Sequence, residues 1–271
     1  QVLQKNLVLS YADSLGLDVI LSEKVEREGI DRKGAPFCYP VEIAHGMMEN
    51  LVRKNLDYYF LPHVESLPVK EGGVSVTCPF VQSEAFYLKS AFNELTDEKL
   101  ITEHFEFSKG YDKEIKKFIG IGKKLGFTEN KINWAFDKAI KAQQSYHEEC
   151  QRIGKEVLDL IENSDDKYGV VVFGRPYNAF ARVANMGIPS KFASKGRYTI
   201  PVDFLPYKEE ELDENSNMYW AMGRIILKGA QIVQKSDKLF GAFISNFSCG
   251  PDSFVIGDFR KIMGEKPSLT L

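Results

Sequence analysis

Two runs constrain this chain more than anything else in it. Tyr168-Gly169-Val170-Val171-Val172-Phe173-Gly174 and Leu239-Phe240-Gly241-Ala242-Phe243-Ile244-Ser245 are apolar without alternation, and each leads through a turn into a helix-like stretch. A strand apolar on both sides must be covered on both sides, the condition of a central strand in a parallel sheet. Parallel neighbours need long crossovers, so helices have to lie between such strands. The rest of the chain follows the same alternation. Residues 4–15 and 41–53 have helical spacing, the latter through Ile43, Met47, Leu51 and Val52. Residues 17–21 and 56–61 are short apolar runs, and Gly72-Gly73 marks a turn before a strand-like run at 74–77. Ser83 is placed to cap a helix reaching Phe92. Later, 199–205 and 266–271 read as strands, and 218–233 and 252–263 as helices.

Residues 103–164 differ: helical periodicity dominates, Pro is absent and charges are dense. We expect helices broken near Gly120-Ile121-Gly122 and Gly126-Phe127-Thr128, the last running from about 130 to 163. The organisation expected is therefore an α/β unit at 1–102, a helical insert at 103–165 and a second α/β unit at 166–271. Both units are read as Rossmann- or flavodoxin-like parallel sheets. A first residue other than Met and a strand-like end suggest a fragment of a larger protein.

A length of 271 residues with 44% hydrophobic and 27% charged residues is enough to bury a core without staples. The net charge of −3 gives no electrostatic case for nucleic acid or an anionic membrane. No apolar run nears the ~20 residues of a membrane helix. Four cysteines are too few for a disulfide scaffold, which points to a reducing, cytoplasmic setting. The chain carries no GxGxxG, no GxxxxGK[ST] and no GxSxG, so dinucleotide, P-loop and nucleophile-elbow readings have no support.

Three cysteines stand where strands are expected to meet helices: Cys38 in Phe37-Cys38-Tyr39-Pro40, Cys78 in Thr77-Cys78-Pro79 and Cys249 in Ser248-Cys249-Gly250-Pro251. Open α/β sheets bind ligands at such junctions, and helix N-termini favour thiolates. Three converging thiolates suit a soft metal or an iron–sulfur cluster. Buried, inert thiols are the alternative reading, since no CxxC spacing is present. Cys150, among helical residues, has the wrong setting for such a site. His45, two helical turns past Cys38, reads either as a donor near the cleft or as a packing histidine. His63 lies at a strand end, while His104 and His147 read as surface residues. Gly174-Arg175-Pro176-Tyr177-Asn178 follows a core strand, so Arg175, Tyr177 and Asn178 are candidates for holding an anion. A salt bridge that fixes the loop is the equal alternative for Arg175. His45 and Arg175 are the candidates for a catalytic role.

These segments, together with Ile188-Pro189, the run from Ile200-Pro201 through Asp203-Phe204-Leu205-Pro206, and Ser248-Cys249-Gly250-Pro251-Asp252-Ser253, occur in an order that resembles one domain. It is the 2-hydroxyacyl-CoA dehydratase-like domain of large activase-related proteins. The resemblance covers about residue 17 to the end. It implies a [4Fe–4S] cluster, or the double-cubane cluster of a related group, with Cys38, Cys78 and Cys249 as ligands and Cys150 not among them. It further implies an ATP-binding activator as electron donor, in the same chain or separate, and an acyl-CoA or other small molecule as substrate. A homodimer is a further expectation. The function expected is an iron–sulfur redox domain accepting low-potential electrons, within a dehydratase-like lyase or an ATP-dependent reductase. A non-catalytic docking domain and a zinc enzyme are the rival readings.

Overall fold

The computed structural model describes residues 5–35, 37–69, 74–212 and 217–271. The chain divides into two compact units, one ending at Gln144 and one running from Ser145 to Leu271. The α/β class is as expected, and every strand pair within the sheets is parallel.

The first unit has four short strands among its described residues: β1 (Tyr59–Phe60), β2 (His63–Ser66), β3 (Leu100–Ile101) and β4 (His104–Glu106). β1 pairs with β3 and β2 with β4, in separate two-stranded sheets. The helices Lys5–Leu15, Tyr39–Val52 and Glu84–Ala91 fall where the apolar spacing puts them. Met48, Tyr59, Leu88, Phe92 and Leu100 form a core between strand and helix. Strand content is lower than the sequence suggests. The run at 17–21 forms no strand, because Leu17 N–H turns back to the Ala12 carbonyl at 3.1 Å and caps the first helix around Gly16. Of residues 74–77, Val76 makes a single antiparallel bridge to Ser66. The turn read at Gly72-Gly73 lies outside the described residues.

The helix Ile115–Lys124 runs unbroken through Gly120 and Gly122. An interior glycine costs a helix only about 1 kcal/mol, less than burying Phe118 and Ile121 returns at about 2 kcal/mol each. The break comes at 125–128, and the next helix, Glu129–Glu162, spans 34 residues. The division between units falls inside that helix, so the stretch 103–165 is shared between them rather than set apart.

The second unit contains the sheet that the two apolar runs imply. Its strands are β5 (Gly169–Phe173), β6 (Tyr198–Pro201), β7 (Leu239–Phe243) and β8 (Ser268–Thr270), in the order β6-β5-β7-β8. The helices Ala221–Lys235 and Gly250–Met263 cross between successive strands. Val171, Phe173 and Phe243 meet Ile226, Ala230 and Phe259 in one core. Val172 points the other way, against Ala179 and Ile244. Alternate residues of β5 are thus buried on opposite faces, which is why the run shows no polar alternation.

Candidate functional site

With the order β6-β5-β7-β8, the connections from β5 and β7 diverge at the carboxyl edge of the sheet. That divergence is the switch point at which open α/β sheets bind ligands. The loops that flank it, 174–178 and 244–249, hold the Arg175 and Cys249 singled out in the sequence. They are locked together. The Ile244 N–H donates to the Phe173 carbonyl at 2.8 Å, and Asn246 Nδ2 donates to Asn178 Oδ1 at 3.0 Å. Gly174 sits at φ +140°, and a Cβ there would run into the Ile244 carbonyl oxygen, so only glycine serves.

Arg175 is buried, at 6% exposure, and does not open to solvent. Its Nε lies 2.8 Å from Asp252 Oδ1, its Nη2 donates to Cys249 Sγ, and its guanidinium stacks 4.9 Å from the Tyr177 ring centroid. The second oxygen of Asp252 accepts from Ser245 Oγ at 2.7 Å and Asn178 Nδ2 at 3.3 Å. Cys249 caps the helix Gly250–Met263, its sulfur accepting from the Asp252 N–H at 3.3 Å. This is the N-cap-to-N3 reach of a capping box, with a thiol in place of the usual hydroxyl. Burial pushes the Cys249 thiol up to about 12, a rise the Arg175 charge opposes only in part.

Cys38 and Cys78 lie in the first unit, both partly exposed. Each also takes the N-cap position of a helix with proline in its first turn, Tyr39–Val52 and Pro79–Gln82 respectively. Cys249 lies in the loop that leaves β7, six residues past its end at Phe243. Cys38 follows the turn after the helix Arg27–Asp31, and Cys78 lies two residues past the bridge at Val76. The rings beside the two thiols touch: Phe37 meets Phe80 edge-on at 5.5 Å between centroids. Both rings contact Tyr87. His45 is 1% exposed, its Nδ1 is 2.8 Å from the Val41 carbonyl, and its ring stacks on Tyr87 at 5.3 Å. His63 Nδ1 is 2.6 Å from the Gln82 carbonyl, and His104 pairs with Glu65 at 2.8 Å on the surface. Among the described residues, no group of three or more His, Cys, Asp or Glu side chains is gathered for a metal ion.

Cys150 is buried on the long helix in the second unit, beside Tyr146. No site role was read for Asp252, Ser245 or Asn246 in the sequence, although Asp252 stands in the Ser248–Ser253 segment. Asp252 had a legible signal, an acid three residues after a helix-capping position; the other two are legible only once β5 and β7 are known to be neighbours.

Residues 6–205 match the family model described as the CoA enzyme activase uncharacterised domain (DUF2229). The chain belongs to that family. The match takes in Cys38, Cys78 and the Gly174–Asn178 loop and ends before β7, so Cys249 and Asp252 lie beyond it. No curated protein and no solved structure matches the chain. Among the described residues, no helix is long and apolar enough to cross a membrane.

Proposed function

We propose that this CoA enzyme activase domain is an iron–sulfur redox domain of an acyl-CoA dehydratase or reductase system, with Cys38, Cys78 and Cys249 as thiolate ligands. The observation that carries the reading is Cys249 itself: a thiol at a helix N-cap, at the sheet's switch point, with a guanidinium on its sulfur. The donor set fits in kind. All three thiols stand at N-caps with proline beside them. Cys249 has to lose its proton to ligate, which metal binding drives, and Arg175 is placed to hold the resulting charge. An iron–sulfur cluster supplies one-electron transfer at low potential. Around it the chain's own residues serve to orient. Phe37, next in sequence to Cys38, and Phe80, near Cys78, pack on each other and on Tyr87, while Asp252, Ser245 and Asn178 fix Arg175 and its loop. An ATP-binding activator is the electron donor in this reading, and an acyl-CoA the substrate class.

Anaerobic purification with iron and sulfide analysis tests it. A brown protein with stoichiometric iron is expected. Cys38→Ser, Cys78→Ser and Cys249→Ser should each lose most of the iron, while Cys150→Ala keeps it. Iron retained in Cys249→Ser, or lost equally in Cys150→Ala, overturns the assignment. The closed Arg175–Asp252 pair favours a second reading, a non-catalytic docking domain in which the loop is only braced. A stable, metal-free protein after anaerobic reconstitution decides for that one, and a colourless zinc protein for a zinc site.

A further inference from the structure

Away from the switch-point site, the second unit has another buried polar group that its surroundings do not satisfy. Asp203 follows β6 in the short 3-10 turn Val202–Phe204, at the same carboxyl edge of the sheet. Its Oδ1 is buried and has no hydrogen-bond partner among the described residues. The helix Glu129–Glu162 presses on this turn. Gln151 Nε2 donates to the Asp203 carbonyl at 2.8 Å, and a Cβ on Gly154 would run into the Phe204 carbonyl oxygen. Among the described residues, no charged partner balances the carboxyl from the elements around it. From the long helix the titratable groups acting with it are Tyr146 and Cys150, themselves hydrogen-bonded to each other and both neutral at pH 7. β5 carries no titratable residue. Gly229, on the helix Ala221–Lys235, meets Val202 and Leu205 with an apolar surface. In the next turn, Tyr207–Glu209, the charge of Lys208 acts on His147.

We propose that Asp203 is a proton-binding site that works as a latch: neutral, it lets the turn after β6 seat against the long helix, and ionised it loosens that seam. Burying a carboxylate without a partner is strongly unfavourable in general, whereas the neutral acid is tolerated. Burial accordingly pushes the carboxyl from 3.8 up to about 6, with its own backbone N–H opposing only in part.

The sign follows. A carboxyl that binds its proton more tightly folded than unfolded favours the folded state below its ordinary value. It withdraws that support as pH rises from about 4 to about 6. The gap corresponds to roughly a hundredfold in the folding equilibrium. Asp203→Asn keeps the shape without the charge. Urea denaturation of both proteins at pH 4 and at pH 7 should show near-equal stability at pH 4. At pH 7 the variant should be favoured by up to about a hundredfold. Hydrogen exchange at residues 202–205, corrected for intrinsic rate, should lose protection above pH 6 in the wild type and not in Asp203→Asn. A stability difference that is the same at both pH values overturns the latch. Should the variant fail to fold, carbon NMR of the Asp203 carboxyl in the wild type decides: a midpoint near 6 supports the proposal and one near 3.8 ends it.

Discussion

Cys38 and Cys78 in the first unit and Cys249 in the second share a backbone position, the N-cap of a helix that opens with proline. Their side-chain surroundings differ. The first two are partly exposed and stand beside touching aromatic rings, with a stacked histidine behind Phe37. The third is 5% exposed and held by a buried arginine and the amide of a buried aspartate. An N-cap by itself lowers a thiol's affinity for its proton; burial at the same position reverses that. Local backbone therefore places a sulfur, and the shell around it decides its state.

The sharpest way to break this contrast is thiol labelling. At pH 8 a thiol pushed up to about 12 is ionised to on the order of one part in 10,000. Iodoacetamide should therefore modify Cys38 and Cys78 more than a hundredfold faster than Cys249, read by peptide mass spectrometry. Equal rates would mean the charged shell does not close Cys249. Next comes Arg175→Met, which strands the Asp252 carboxylate in the core. A loss of about 3–5 kcal/mol is expected in urea denaturation. Adding Asp252→Leu should recover much of it, since removing both charges spares the unpaired one. In the aromatic shell the effect is smaller. His45→Ala deletes a stacked ring and one hydrogen bond and should cost about 2 kcal/mol. A cost equal to that of Arg175→Met would erase the distinction between the shells. The smallest effect belongs to the loop before Cys249. Phe247 is 95% exposed, so Phe247→Ser should change stability by less than about 0.5 kcal/mol.

Legibility in the sequence followed the same divide. The runs around Val171 and Ala242 gave β5 and β7 because burial on both faces leaves a composition no solvated strand can have. The long helix at Glu129–Glu162 was legible from uninterrupted periodicity. The first unit was harder to read. Its strands are two to four residues long, too short to show a period, and 17–21 reads as a strand until Gly16 is seen to cap the helix before it. At the site, the positions of Cys249 and Arg175 were legible, but not that they touch. The two are 74 residues apart, and only the pairing of β5 with β7 joins them. Asp203 was legible only as part of the Asp203–Pro206 element, not as a buried acid, because an orphaned oxygen is a property of its surroundings and not of its neighbours in sequence.

The strand order has a further consequence, in time. β5 lies at the centre of its sheet, yet the neighbour that completes it, β7, comes about 70 residues later in the chain. At roughly 5–20 residues per second of synthesis, the Val170–Phe173 stretch waits several seconds between leaving the ribosome and meeting β7. Until then it has β6 on one side alone, and Val172, Ala179 and Ile244 cannot close their small core because Ile244 has not yet been made. Contacts of this span form slowly in any chain. The second unit is therefore born with its most apolar strand half covered, and Cys249 and Asp252 reach Arg175 only once β7 has been made and docks beside β5.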